Sequence, residues 1–220
     1  PIDPPKNGTA FYRGFIDGST PRAIGVGYDG GMNLAFSADH LGIELLWQER
    51  FYDGGRHWTA RGQGNEPPAG KNIIKLTSLP VWATLETSSA KWQPINKGGT
   101  KRRFRGYQLG KNDRPTFNYE VGSLKVSDLP IPEFDSKVIT RTVTIAVPSS
   151  GAPENLHLLI CNGLDVTAAD SPNPYLLGNA MPVEITGDST TPALVRNKEL
   201  ILPLALKPGK NQITIRYQWK

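Results

Sequence analysis

Arg56, His57, Trp58 and Arg61 stand within six residues of one another in "RHWTARGQG" (56–64). Each guanidinium fork can grip a carboxylate or a phosphate through two parallel hydrogen bonds. An imidazole supplies the side chain that titrates nearest neutrality, and an indole stacks on a sugar ring or caps the edge of a core. A structural reading fits the same residues. Arginines in glycine-rich loops pair with acids of their own domain and hold the loop shut, and Asp17, Asp53 and Asp113 are available partners. Both readings stay open at the level of sequence.

Carboxylates gather near this loop: Asp39, Glu44, Glu49, Asp53 and Glu66. Glycoside hydrolysis needs two carboxyls facing each other at about 5–10 Å, a relation that sequence spacing on strands and turns does not establish. General acid–base work by His57 with Asp39, Asp53 or Glu66 needs hydrogen-bond reach, so these residues are catalytic candidates only. A second basic stretch, "KRRFR" (101–105), opens "RRFRGYQL". Phe104 and Tyr107 do not alternate cleanly with Arg103 and Arg105, which predicts a bulge near Gly106 and an Arg105 turned inward to a buried acid. Arg56, His57, Trp58, Arg61, Arg103 and Arg105 are therefore the candidate partner- or ligand-binding residues. Among the tryptophans, Trp47 and Trp219 sit on strand patterns and read as core. Trp58, Trp82 and Trp92 lie nearer loops and read as surface contacts.

The elements that must position these groups are strands. Few windows longer than ten residues keep a helical period without Gly or Pro; "SADHLGIELLWQ" comes nearest, and Gly42 with the aromatics after it favours a strand. Strands are expected near 11–16, 22–28, 31–36, 42–48, 72–77, 81–86, 102–109, 115–121, 123–127, 137–147, 156–161, 181–186, 199–206 and 211–219. "GYQLGKNDRPTFNY" reads as a hairpin with a Gly-Lys-Asn-Asp tip, and "GYDGGMNLAF" as another turning at Asp29-Gly30-Gly31. The last strand alternates cleanly, with Ile213, Ile215, Tyr217 and Trp219 on one face and Gln212, Thr214, Arg216 and Gln218 on the other.

With 220 residues, 23 Gly and 19 Pro scattered as punctuation between short apolar runs, the chain suits one large all-β domain. The expected fold is an antiparallel β-sandwich of jelly-roll or supersandwich kind, or else a distorted barrel. The expected division is an extended lead-in over 1–10 and a single sandwich over 11–220, with a long irregular connection at 162–180.

The net charge of +5 arises in residues 1–110, which hold 14 Lys and Arg against 9 Asp and Glu; residues 111–220 hold 11 of each. A basic half attracts anionic partners, yet no nucleic-acid reader motif accompanies it, so nucleic acid is not an expected partner. No segment reaches the length and apolarity of a membrane-spanning helix. No zinc spacing, phosphate-binding loop, nucleophile elbow or C-x-x-C-H is present, so no metal is expected and no haem is attached to this chain by that motif. Cys161 is the lone cysteine and lies in the apolar run "LHLLICNG", where it reads as a small core residue.

Four stretches together carry a resemblance: residues 15–70, "FRGYQLGKNDRPTFNYEVG", "VSDLPIPEF" and "ITIRYQW". Their order and spacing resemble a β-rich domain that accompanies c-type cytochrome domains in large multidomain proteins of planctomycete-type bacteria. The resemblance covers most of residues 11–147, with "TARGQG" standing where "TGRGQG" is expected. It implies an exported, periplasmic protein in redox or carbohydrate-degrading systems, with any haem in a neighbouring domain, and it carries over no catalytic residues. The first expectation is thus a non-catalytic sandwich that docks or orients a haem domain or another electron partner. Carbohydrate binding is the alternative, with Trp58 and Trp92 as stacking faces and a terminal strand of a kind common in sugar-binding sandwiches. A sugar-active enzyme using His57 and a carboxylate is the third.

Overall fold

In a computed structural model the chain is an all-β sandwich of three antiparallel sheets; among the described residues no sheet closes into a barrel, which removes the barrel alternative. The structure describes residues 1–59, 64–92, 101–168, 175–178, 180–188 and 191–220. In chain order the strands are β1 (Thr9–Gly14), β2 (Ala23–Tyr28), β3 (Met32–Ser37), β4 (Gly42–Gln48), β5 (Lys71–Lys75), β6 (Trp82–Thr84), β7 (Arg102–Leu109), β8 (Pro115–Val121) and β9 (Leu124–Glu133). They continue as β10 (Val138–Val147), β11 (Leu156–Asn162), β12 (Val166–Ala168), β13 (Tyr175–Leu177), β14 (Met181–Gly187), β15 (Leu194–Arg196), β16 (Glu199–Pro203) and β17 (Gly209–Gln218). Helix is confined to the single turn α1 (Gly55–Trp58) and a 3₁₀ turn at Lys111–Asp113 among the described residues.

The first sheet is the meander β1-β2-β3-β4-β5. The second has eight strands in the order β12-β13-β14-β17-β10-β9-β8-β7, and the third has four, β15-β16-β11-β6. Alternation decides which side chains meet. On β17, Ile213, Ile215 and Tyr217 are buried, while Thr214, Arg216 and Gln218 on the other face are partly exposed. The inward faces of all three sheets feed one core cluster, which includes Phe36, Phe117, Tyr119, Val143, Leu158 and Leu200. Phe36 stacks on Phe117 with ring centroids 4.1 Å apart, which brings the first sheet onto the β7–β8 end of the second. An ion pair lies inside this core: Arg141 Nη2 donates to Asp128 Oδ2 at 2.6 Å and Arg141 Nε to Oδ1 at 2.9 Å, while the Tyr119 hydroxyl donates to Oδ2 at 3.2 Å.

Both expected hairpins form. The β2–β3 turn has Gly30 and Gly31 at φ of 104° and 74°, a backbone region that glycine enters without a Cβ penalty. The β7–β8 tip places Asn112 at φ 58°. The expected bulge appears as a register shift between Phe104 and Gly106. Three short strands, β12, β13 and β15, escape the sequence reading. Two of them fall in the expected irregular connection 162–180, where they pair with each other and extend the edge of the second sheet. Within residues 1–10, Ile2 bridges to Tyr52 and β1 begins at Thr9.

Candidate functional site

The outer face of the first sheet is covered, which is unusual for an antiparallel sheet that could leave one face in water. Every residue of β2 and β3 is buried. The cover is the segment between β4 and β5. Phe51 lies against Gly25 and Gly27; a Cβ at Gly27 would sit 2.4 Å from the Phe51 ring. Trp47 stacks on Phe51 at 5.9 Å and donates its indole N–H to the Phe51 carbonyl at 3.0 Å. Tyr52 packs on Tyr12 of β1 at 4.2 Å and donates its hydroxyl to the Phe15 carbonyl at 3.2 Å. Further along, Glu66 N–H donates to the Phe15 carbonyl at 3.1 Å and Asp17 N–H to the Glu66 carbonyl at 2.8 Å. These contacts form a second, smaller core of Ala10, Ile16, Ala23, Ala35, Leu45, Trp47, Phe51 and Tyr52.

The chemistry-bearing residues of the loop sit on this cover. Arg56 Nε lies 2.9 Å from Glu66 Oε1. The nearly buried acid that sequence suggested for catalysis is thus the partner of Arg56, in place of Asp17, Asp53 or Asp113. Both nitrogens of His57 are engaged: Nε2 donates to the Gly64 carbonyl at 2.9 Å, so Nδ1 is the acceptor for the Tyr12 hydroxyl. Burial, opposed by a hydrogen bond from Tyr52 and reinforced by the Glu66 charge, raises the Tyr12 pKa and keeps that hydroxyl a donor. Asp53 Oδ1 instead accepts the Gly55 N–H at 3.0 Å, which lowers its pKa. No hydrogen bond among the described residues joins His57 to Asp39, Asp53 or Glu66. Arg61 lies outside the described residues. Trp58 is left 77% exposed at the end of α1, and Phe15, whose ring meets His57 edge-on at 6.5 Å, is 51% exposed.

The other candidates separate from this loop. Arg103 and Arg105 project from β7, the edge strand of the second sheet. Arg105 does not turn inward: it is the extra, unpaired residue of the bulge, and its Nη2 donates to Glu120 Oε2 at 2.7 Å on the surface. Trp82 and Trp92 are buried, and Trp92 donates its indole N–H to the Pro80 carbonyl at 2.9 Å. Neither offers a stacking face, which overturns Trp92 as a sugar platform. Cys161 is buried as expected, and burial pushes its thiol up to about 11.

Sequence reading missed one constellation. Glu44 is the extra residue of a bulge in β4, where Ala35 faces Leu45 and Phe36 faces Ile43. The bulge turns its buried carboxylate toward the Ser19 hydroxyl, the Thr20 N–H at 3.2 Å and His40 Nδ1. The order of contacts is serine–glutamate–histidine. A nucleophilic triad needs the hydroxyl on the imidazole, with the carboxylate behind it. Here the hydroxyl and the imidazole both bind the acid, so the cluster satisfies a buried carboxylate and ties the 17–20 turn to β4. Among the described residues no group of three or more His, Cys, Asp or Glu is placed to hold a metal ion, and no helix is long and apolar enough to cross a membrane. The chain matches no protein-family model and no curated protein sequence.

Proposed function

We propose that this chain is a non-catalytic β-sandwich domain of an exported, cytochrome-containing redox protein, in which it docks or orients a haem domain or another electron partner. The observation that carries the reading is the exposed Trp58, two residues after the Arg56 that pairs with Glu66, on a segment tied to the sheet through Phe51, Tyr52 and Glu66, with a second exposed aromatic ring, Phe15, edge-on to the neighbouring His57. Tryptophan and arginine are the residues that most often anchor interfaces, and an anchor already held in place loses little freedom on binding. The loop's internal bonds account for His57 and leave Trp58 without an internal role among the described residues. The basic balance of the first half adds steering toward an acidic partner. Haem belongs to the partner in this reading, and the chain's own residues supply contact and orientation.

The test is titration of the protein with a c-type cytochrome domain at rising ionic strength. Association is expected to weaken steadily with salt, and Trp58→Ala is expected to weaken it about tenfold or more. Affinity indifferent to salt and to Trp58→Ala would overturn the reading.

A further inference from the structure

A cleft of about 300 Å³ opens where four distant chain segments converge. Asn7 comes from the lead-in, Tyr28 and Asp29 from the β2–β3 turn, Asn112 and Arg114 from the β7–β8 tip, and Phe134 from the β9–β10 turn. It lies at the Thr9 end of β1, whereas Phe15 follows the Gly14 end, a strand length of about 20 Å away.

The rim is built in advance of any ligand. Asn7 N–H donates to Asp29 Oδ2 at 2.6 Å, Asp29 N–H to the Gly8 carbonyl at 3.2 Å, and the Thr9 hydroxyl to the Asn112 carbonyl at 2.8 Å. Tyr28 is held by its hydroxyl on the Pro130 carbonyl at 3.0 Å. The Phe134 ring rests on Gly30, where a Cβ would approach it to 2.7 Å, and remains 40% exposed. Arg114 is half-buried, and among the described residues no carboxylate forms an ion pair with it. Arg114, Asp29, Asn7, Asn112 and the partly exposed Phe134 ring therefore line one space, which brings a cation, an acid, two amide residues and an aromatic ring together.

We propose that this cleft binds a saccharide one or two rings long. A sugar ring offers an apolar C–H face, which an aromatic ring matches, and hydroxyls that both donate and accept. Arginine supplies donors alone, an ionised aspartate acceptors alone, and asparagine both, so together they satisfy hydroxyls in either role. The volume is at the small end for ligand sites, the size of a short saccharide rather than of a nucleotide cofactor. This site stands apart from the Trp58 patch, so it holds whether or not that patch docks a partner.

The experiment records amide spectra of the isotope-labelled protein during titration with cellobiose, maltose, galactobiose and digalacturonate. At least one is expected to shift the Gly8, Asp29, Gly30 and Asn112 amides saturably. Phe134→Ala and Arg114→Ala are each expected to weaken that binding about tenfold, with near-ultraviolet circular dichroism confirming the fold. Trp58→Ala is expected to leave it unchanged. The proposal is overturned if these amides stay still with all the saccharides at tens of millimolar, or if both cleft variants bind as tightly as the parent.

Discussion

Arg56 meets Glu66 near solvent, and exposed ion pairs contribute about 0–1 kcal/mol, so the loop is held mainly by the burial of Phe51 and Tyr52 beneath it. His57 works in the same way: the Tyr12 hydroxyl and the Gly64 carbonyl use both ring nitrogens, and little is left for proton transfer to a substrate. His157 on β11 makes a testable contrast. Burial lowers its pKa from 6.5, against the opposing hydrogen bond to the Asn155 carbonyl and aided by the Arg196 charge. The unfolded chain therefore takes up the proton first as pH falls, and stability is lost from about pH 6.5 downward until the folded side chain also titrates. Urea unfolding at about pH 7 and about pH 5 measures this loss, and His157→Gln is expected to shrink the difference between the two midpoints.

At the level of elements, the pairing of "AIGVGY" with the covering segment matters most. Gly25 and Gly27 leave a flat strip on β2 into which the Phe51 ring settles. Gly27→Ala puts a methyl group on backbone that cannot retreat without breaking β1–β2–β3 pairing, so the ring must move. Overpacking of this kind costs about 1–3 kcal/mol. The measurement is the change in unfolding free energy together with proteolysis between residues 49 and 70. Faster cleavage there than in the parent is expected, because the cover lifts before the sheet melts. Phe51→Ala makes the same cut more accessible without adding a clash.

For the whole molecule, the Arg141–Asp128 pair links β10 to β9 in the middle of the core, where Arg141 and Asp128 are both buried. Burial opposes the arginine's charge, and the adjacent carboxylate more than restores it, holding the guanidinium protonated. Asp128→Asn removes that compensation and leaves a buried charge, a change expected to cost about 3–5 kcal/mol in equilibrium unfolding. Replacing both partners together, as Asp128→Leu with Arg141→Met, is expected to recover most of the loss. Equal destabilisation by the single and the double change would show that packing around the pair, rather than the unpaired charge, sets the cost.

The strand content, both hairpins, the bulge at Gly106 and the buried Cys161 were legible in the sequence. Alternation, turn glycines and local register are properties of neighbouring residues, and neighbours are what a sequence displays. The short strands β12, β13 and β15 were not legible, since three residues carry too little pattern and depend on the edge they join. Nor were the partners at the loop. Glu66 meets Arg56 because the chain returns across the sheet, and Arg105 meets Glu120 because a surface cross-strand neighbour was nearer than any buried acid. Trp82 and Trp92 went into the core for the same reason, with long-range packing overriding their place beside loops. The cleft joins residues from Asn7 to Phe134, and no local pattern announces it. Local forces choose strands and turns, whereas a site made from distant segments exists only once the sheets have stacked.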